Sequence, residues 1–214
     1  QAVAGIAQRH GIAVVYGYPE LNPHGRPFNA AQAIAPDGTR LMNYRKTHLF
    51  GDMDRVQFSP GGAASQVFEW RGWRLGLLIC YDVEFPETVR LLALQGADAV
   101  LVPTANMMAF DEVPNLLVPA RACENRVFVA YANACGNEPG VHYGGLSTVA
   151  GPDGGVWTRA GRDAAHRTRR RPGLRLRRRG GRAVRLWLLV LLLVLFLLAL
   201  LYSIMAGMSS PFAL

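Results

Sequence analysis

The sequence predicts an α/β layer protein over its first three quarters. Short apolar runs alternate with helix-like stretches and turn signals from residue 1 to about residue 161. Half of the 214 residues are apolar and only 18% are charged, which excludes a disordered polymer and supplies enough apolar surface for one sizeable core. The pattern contains no internal repeat.

Each element follows from local chemistry. Gln1–His10 reads as the end of a helix, and a strand follows at Ile12–Tyr18, where an apolar run is bounded by Gly11 and Pro19. A second strand near Phe28–Ala35 stops at Pro36-Asp37-Gly38, residues that supply turn angles, and Leu41–Arg45 returns beside it as a hairpin. Trp73–Ile79 reads as a buried strand, Pro86–Gln95 as a helix with Pro in its first turn, and Ala99–Val102 as the next strand. Together they make a β-α-β unit. A further helix within Glu112–Asn125, a strand at Val127–Asn133 and a hairpin through Pro152-Asp153-Gly154-Gly155 complete the pattern.

The net charge of +8 suggests nucleic-acid binding until it is divided along the chain. Residues 162–185 hold 11 Arg against the single acid Asp163, whereas residues 1–161 carry 12 basic and 14 acidic side chains, a net of −2. The domain itself gives no electrostatic reason to bind phosphate backbones. The Arg-rich stretch, taken as a linker over 163–185, lacks interleaved aromatics and equally fits contact with a membrane surface.

Leu186–Tyr202 then runs for seventeen uncharged residues, and extended to Met208 it reaches roughly the 20 residues a bilayer core requires. Two readings of 186–208 stand side by side: a transmembrane helix, or a tail produced by a reading-frame slip in a GC-rich gene. Under the first, Arg182 and Arg185 hold the domain on the cytoplasmic side. The chain opens Gln-Ala-Val-Ala-Gly with no charged-then-apolar leader, so no secretory signal is expected and the sequence reads as beginning inside a longer protein.

Three cysteines, Cys80, Cys123 and Cys135, give an odd count without zinc-site spacing, so free thiols in a reducing compartment are expected. Neither a Gly-rich phosphate loop nor a metal-ligand set appears, and no cofactor is expected.

Two residues carry chemical information. Of 23 basic residues 22 are Arg, and the sole lysine is Lys46. A compact ammonium approaches a developing oxyanion as a point charge in a way that a planar guanidinium does not, although a solvated surface lysine is the plainer alternative. Cys80 ends the apolar run Leu75–Ile79 and precedes a helix by six residues. That strand-turn-helix setting can project a nucleophile beside free backbone N–H groups. A buried core thiol is the alternative, which Cys123 and Cys135 fit better than Cys80 does.

These residues resemble the nitrilase, or carbon-nitrogen hydrolase, superfamily. The similarity rests on Tyr44-Arg45-Lys46-Thr47-His48-Leu49, on Cys80-Tyr81-Asp82 with Phe85-Pro86-Glu87 and Arg90, and on Ala120–Asn125. Gly17-Tyr18-Pro19-Glu20, Asn29 and Pro36-Asp37-Gly38 match upstream, and Gly145-Leu146-Ser147 with Gly151-Pro152-Asp153-Gly154 match downstream. The resemblance covers residues 1 to about 162 and implies a four-layer α-β-β-α sandwich of the nitrilase type lacking its first strand and helix. It implies no cofactor and a trio of glutamate, lysine and cysteine: Cys80 as nucleophile, and Lys46 with the backbone N–H of Tyr81 stabilising the oxyanion. A neighbouring Lys46 would favour the Cys80 thiolate.

In the resembled pattern the general-base glutamate lies upstream of residue 1 and is absent from this chain. Glu20 belongs to the following strand and reads as a turn residue. Asp54 occupies the place of a supporting carboxylate, one carbon shorter than glutamate, with a solvated loop acid paired to Arg55 as the alternative. Asn106 and Met107 match a place that lines the pocket. Glu87 reads as a helix-opening charge and Glu124 as a partner of a neighbouring Arg.

The function implied is that of an amidase-like hydrolase of small amides through a cysteine thioester. Nitrile hydrolysis and a catalytically dead, membrane-anchored binding module of the same fold are the alternatives. A homodimer or higher homo-oligomer is implied by the resemblance alone.

Overall fold

The structure, a computed structural model, describes residues 2–163. The Arg-rich segment beyond Asp163 and the candidate membrane span 186–208 lie outside the described residues. Among the described residues no helix is long and apolar enough to cross a membrane.

Helix α1 (Ala2–His10) leads into β1 (Val14–Glu20), β2 (Phe28–Ile34) and β3 (Arg40–Arg45), which form an antiparallel sheet in the order β1-β2-β3. The strand expected at Ile12–Tyr18 is displaced by two residues and includes Pro19. This is tolerated because β1 pairs on one side only among the described residues, so its missing N–H leaves no ladder bond unmade. Ala7, Val14 and Ile34 form a small core between α1 and this sheet.

The second sheet has the order β11-β10-β7-β6-β5-β4, built from β4 (Val67–Trp70), β5 (Trp73–Leu77), β6 (Ala99–Thr104), β7 (Phe128–Asn133), β10 (Thr148–Ala150) and β11 (Val156–Arg159). Strands β5, β6 and β7 are parallel, and every residue of β6 and β7 is buried, as expected of strands covered on both faces. Helix α3 (Pro86–Leu94) makes the β5-α3-β6 crossover that the sequence predicts, and α4 (Val118–Asn125), preceded by a π turn at Val113–Leu117, covers β7 and β10.

One core joins Val15, Ala31, Ala33 and Tyr44 of the first sheet to Leu77, Val100, Val129 and other residues of the second. Each Val or Leu among them contributes about 1.5–3 kcal/mol on leaving water. The layers therefore run α1, three-stranded sheet, six-stranded sheet, then α3 with α4. This is the expected α-β-β-α sandwich.

Three elements escape sequence reasoning: α2 (Gly51–Gln57), strand β4, and a small hairpin of β8 (Cys135–Glu138) and β9 (Val141–Gly144).

Candidate active site

The parallel strands place their carboxyl ends at one rim, where open α/β sheets hold ligands. Pairing of β5 with β6 extends to Leu78, whose N–H donates to Leu101 at 3.0 Å. Two residues later the chain turns sharply. Ile79 is extended, Cys80 is left-handed at φ 47°, and Cys80–Glu84 form a 3₁₀ turn that leads into α3 through Phe85. A non-glycine residue in that region stores strain that the surrounding structure must hold.

Asp82 supplies much of that hold. Its carboxylate is fully buried and accepts from the N–H of Ile79 at 3.1 Å, the hydroxyl of Tyr44 at 3.0 Å, and the N–H and Nδ1 of His48 at 3.1 and 2.9 Å. Burial first, and the Asp82 charge second, push the Tyr44 phenol well above its ordinary range, so it stays a donor. One carboxylate thus fastens the Lys46-Thr47-His48 segment of the first sheet to the Cys80 turn of the second.

Lys46 follows β3 directly. Its N–H donates to Asn29 and its carbonyl accepts from Gly61, so its backbone is fixed on both sides. At 2% exposure it is not a solvated surface lysine. Its Nζ donates to the Asp54 carboxylate in a short ion pair, and Asp54 also accepts from the N–H of Phe50 at 2.9 Å. Asp54 therefore lies on α2 and reaches Lys46 despite the shorter side chain; the pairing with Arg55 is not what the structure shows.

A cavity of about 210 Å³ opens at this rim, and Lys46, Asp54, Cys80 and Glu84 all line it. The backbone N–H groups of Tyr81 and Ala105 point at the Cys80 sulfur. Cys80 retains some accessible surface, yet burial pushes its thiol up. Lys46 opposes this without outweighing it, and Glu84 adds to it. The expected effect of Lys46, which favours the thiolate, is present, but desolvation outweighs it.

Asn106 and Met107 line the same cavity, but the Asn106 side chain is occupied, its Nδ2 donating to Phe110 at 2.9 Å. Its backbone is clamped by the Asn133 amide, which accepts from the Asn106 N–H at 2.7 Å and donates to its carbonyl at 3.2 Å. Glu20 is outside the cavity, bound to Arg45 at 2.8 Å and accepting from Asn43. Glu87 opens α3, and Glu124 pairs with Arg121 at 3.3 Å, both as expected. Cys123 lies in α4 and Cys135 opens β8, and neither lines the cavity.

Sequence reasoning did not place Glu84, Phe50 or Tyr143 at the cavity. Tyr143 sits on the unforeseen hairpin, its hydroxyl donating to Glu138 at 2.8 Å and its phenol pushed up to about 12 by burial. Glu84 is legible in the sequence as one of the acids, with Asp82 and Glu87, that follow Cys80, and stands with Glu20 as an alternative base. Among the described residues no group of three or more His, Cys, Asp or Glu side chains is arranged to hold a metal ion.

This constellation of cysteine, buried lysine and carboxylate at one sheet rim invites comparison with known proteins. The sequence matches the carbon-nitrogen hydrolase family over residues 1–166. The chain belongs to that family. It is 53% identical over 165 residues to the protein named "Hydrolase in pqqF 5'region" from Pseudomonas protegens, covering 77% of this chain and 58% of that one. To an (R)-stereoselective amidase of a Pseudomonas species it is 41% identical over 164 residues, covering 76% and 58%.

Among solved structures of this carbon-nitrogen hydrolase family, an amidase from Nesterenkonia superposes with a TM-score of 0.73 at 41% identity, covering 76% of this chain and 62% of that one. A glutamate-to-glutamine variant of that amidase carries the acetamide moiety of fluoroacetamide covalently added at its active-site cysteine. The chain spans less than two thirds of the length of these relatives.

Proposed function

We propose that this carbon-nitrogen hydrolase hydrolyses small amides through a thioester on Cys80. The observation that carries the reading is a buried Lys46 ammonium, held by Asp54, in the same small cavity as a thiol on a strained turn. The relatives named amidases support amide rather than nitrile as substrate.

In this reading the Cys80 sulfur, as it attacks the amide carbon, gives up its proton to the glutamate that the resemblance places before residue 1, which then hands it to the departing nitrogen. The carbonyl π bond opens, and the negative oxygen is met by Lys46 Nζ and the Tyr81 N–H. The C–N bond then breaks, the nitrogen leaves with an added proton as ammonia, and a thioester remains. Water adds to the thioester carbon, and the acid departs as the thiol is restored. Asp54 keeps Lys46 aimed throughout, so it acts as a positioning residue.

The proton-carrying glutamate that the resemblance places before residue 1 belongs to the same proposal. So does a homodimer or larger assembly, by analogy with the family alone. Asn106 is read as a backbone support of the pocket wall and Met107 as an apolar contact to substrate.

Ammonia release from acetamide, propionamide and butyramide tests the reading. Turnover is expected of the chain extended by the upstream segment that carries the glutamate, with little or none from residues 1–214 alone, and should vanish in Cys80→Ala; turnover that survives this substitution would overturn the reading.

A further inference from the structure

The charges around the cavity do not balance. Lys46 is taken by Asp54. Arg121, the other nearby cation, is 8% exposed and already occupied: Nε donates to Val83 O at 3.1 Å, Nη2 to the Glu84 carbonyl at 2.6 Å, and Nη1 to Glu124 at 3.3 Å. The half-buried Glu84 carboxylate lines the cavity with Cys80, yet among the described residues it receives no hydrogen bond or ion pair. Glu112 is exposed nearby and adds a second negative charge.

Burial, then Glu112, push the Glu84 carboxyl up, and Lys46 and Arg121 only partly oppose this. A carboxylate kept in a cavity wall without a partner is costly unless something brought into the cavity compensates it.

We infer that Glu84 recognises a cationic group on the substrate, so that the preferred substrates are amides carrying an ammonium, held with the carbonyl carbon at Cys80 and the amine at Glu84. This rests on the amidase reading of the same cavity. The remaining wall suits such a molecule: Phe50, Met53, Met107 and Val141 offer apolar contact to a short methylene chain between the two polar ends. The cavity volume limits that chain to a few carbons.

The test uses ω-amino amides of two to five carbons, each paired with the isostere in which methyl replaces ammonium. Equilibrium binding is measured by calorimetry to the full chain carrying Cys80→Ala. At least one amino amide should bind ten-fold or more tighter than its isostere, and adding Glu84→Gln should shrink that ratio below two-fold. Protection of Cys80 from iodoacetamide by the same pairs, in the otherwise unsubstituted chain with and without Glu84→Gln, reads the same ratio without the Cys80 substitution.

Equal affinities within every pair, or a preference that survives Glu84→Gln, overturns the inference. Ammonia release from the unsubstituted extended chain separates it from its foundation. An amino amide that binds preferentially but is never hydrolysed leaves the cation site standing and sinks the amidase reading, while hydrolysis of both members with equal affinity does the reverse.

Discussion

The Nδ1 of His48 donates to the Asp82 carboxylate at 2.9 Å, across 34 residues of sequence and from one sheet to the other. The same carboxylate receives the Ile79 N–H, one residue before Cys80, so the position of the proposed nucleophile and the position of the lysine segment are fixed by a single buried charge.

Replacing Asp82 by Ala is therefore expected to cost about 3–5 kcal/mol, because it leaves buried donors of Tyr44, His48 and Ile79 unpaired. Asp82→Asn should cost less, since an amide oxygen still accepts from some of them. Urea midpoints of the three proteins check the order, and an Asp82→Ala protein as stable as the parent would refute it.

Lys46→Met should lower turnover by about 10²–10³-fold, the range seen when an oxyanion donor is removed. Asp54→Asn should lower it less, because the ammonium remains but loses its anchor. Rates of ammonia release on one amide rank the two, and a larger loss at Asp54 would assign that residue a proton-transfer role rather than a positioning one.

Alkylation of Cys80 should rise with pH only above the ordinary thiol range. The folded-state thiol is pushed up by burial, so it contributes stability below its unfolded value, and that contribution disappears as pH rises through the folded one. Lys46→Met should move the alkylation profile higher still, since Lys46 is the group that opposes the shift most. Peptide mapping after iodoacetamide treatment at several pH values measures it. A Cys80 profile lower than that of a model thiol would contradict the assigned cause.

Gly61→Ala should disturb the site from a distance. A Cβ at Gly61 would stand 2.3 Å from the carbonyl oxygen of Arg45, immediately before Lys46, and backbone cannot swing aside as a side-chain end can. Loss of turnover with a modest fall in melting temperature is expected, whereas full activity would show that this stretch of backbone yields.

Much of this architecture was legible because it is local. Lys46 stood out as the only lysine, Cys80 as the end of an apolar run, and β5-α3-β6 as a strand, a Pro-opened helix and a strand. Helix α2 was not, because Gly51–Gln57 buries no residue and has no apolar periodicity to read; Asp54 carries its information, and only through a partner eight residues away. The β8–β9 hairpin was missed for a similar reason, since Cys-Gly-Asn-Glu has little strand preference and is ordered by its pairing. Asp82 sat in plain view beside Cys80, but its partners from the Tyr44–His48 segment lie 34 to 38 residues away and nothing in their spacing announces them. The displaced start of β1 and the resting state of the thiol depend on tertiary surroundings in the same way.

The site is divided between two sheets: Lys46 arrives on the three-stranded one and Cys80 on the six-stranded one, with the core packed between them. Neither half possesses it alone. During refolding, strands and helices within each layer can form early, but the complete cavity exists only once the layers have docked, so the order of events is imposed by geometry. Far-ultraviolet dichroism should recover before Cys80 regains its protection from alkylation, and the lag between the two signals is a clock for the docking step. Coincident recovery would mean that the layers form only as a pair.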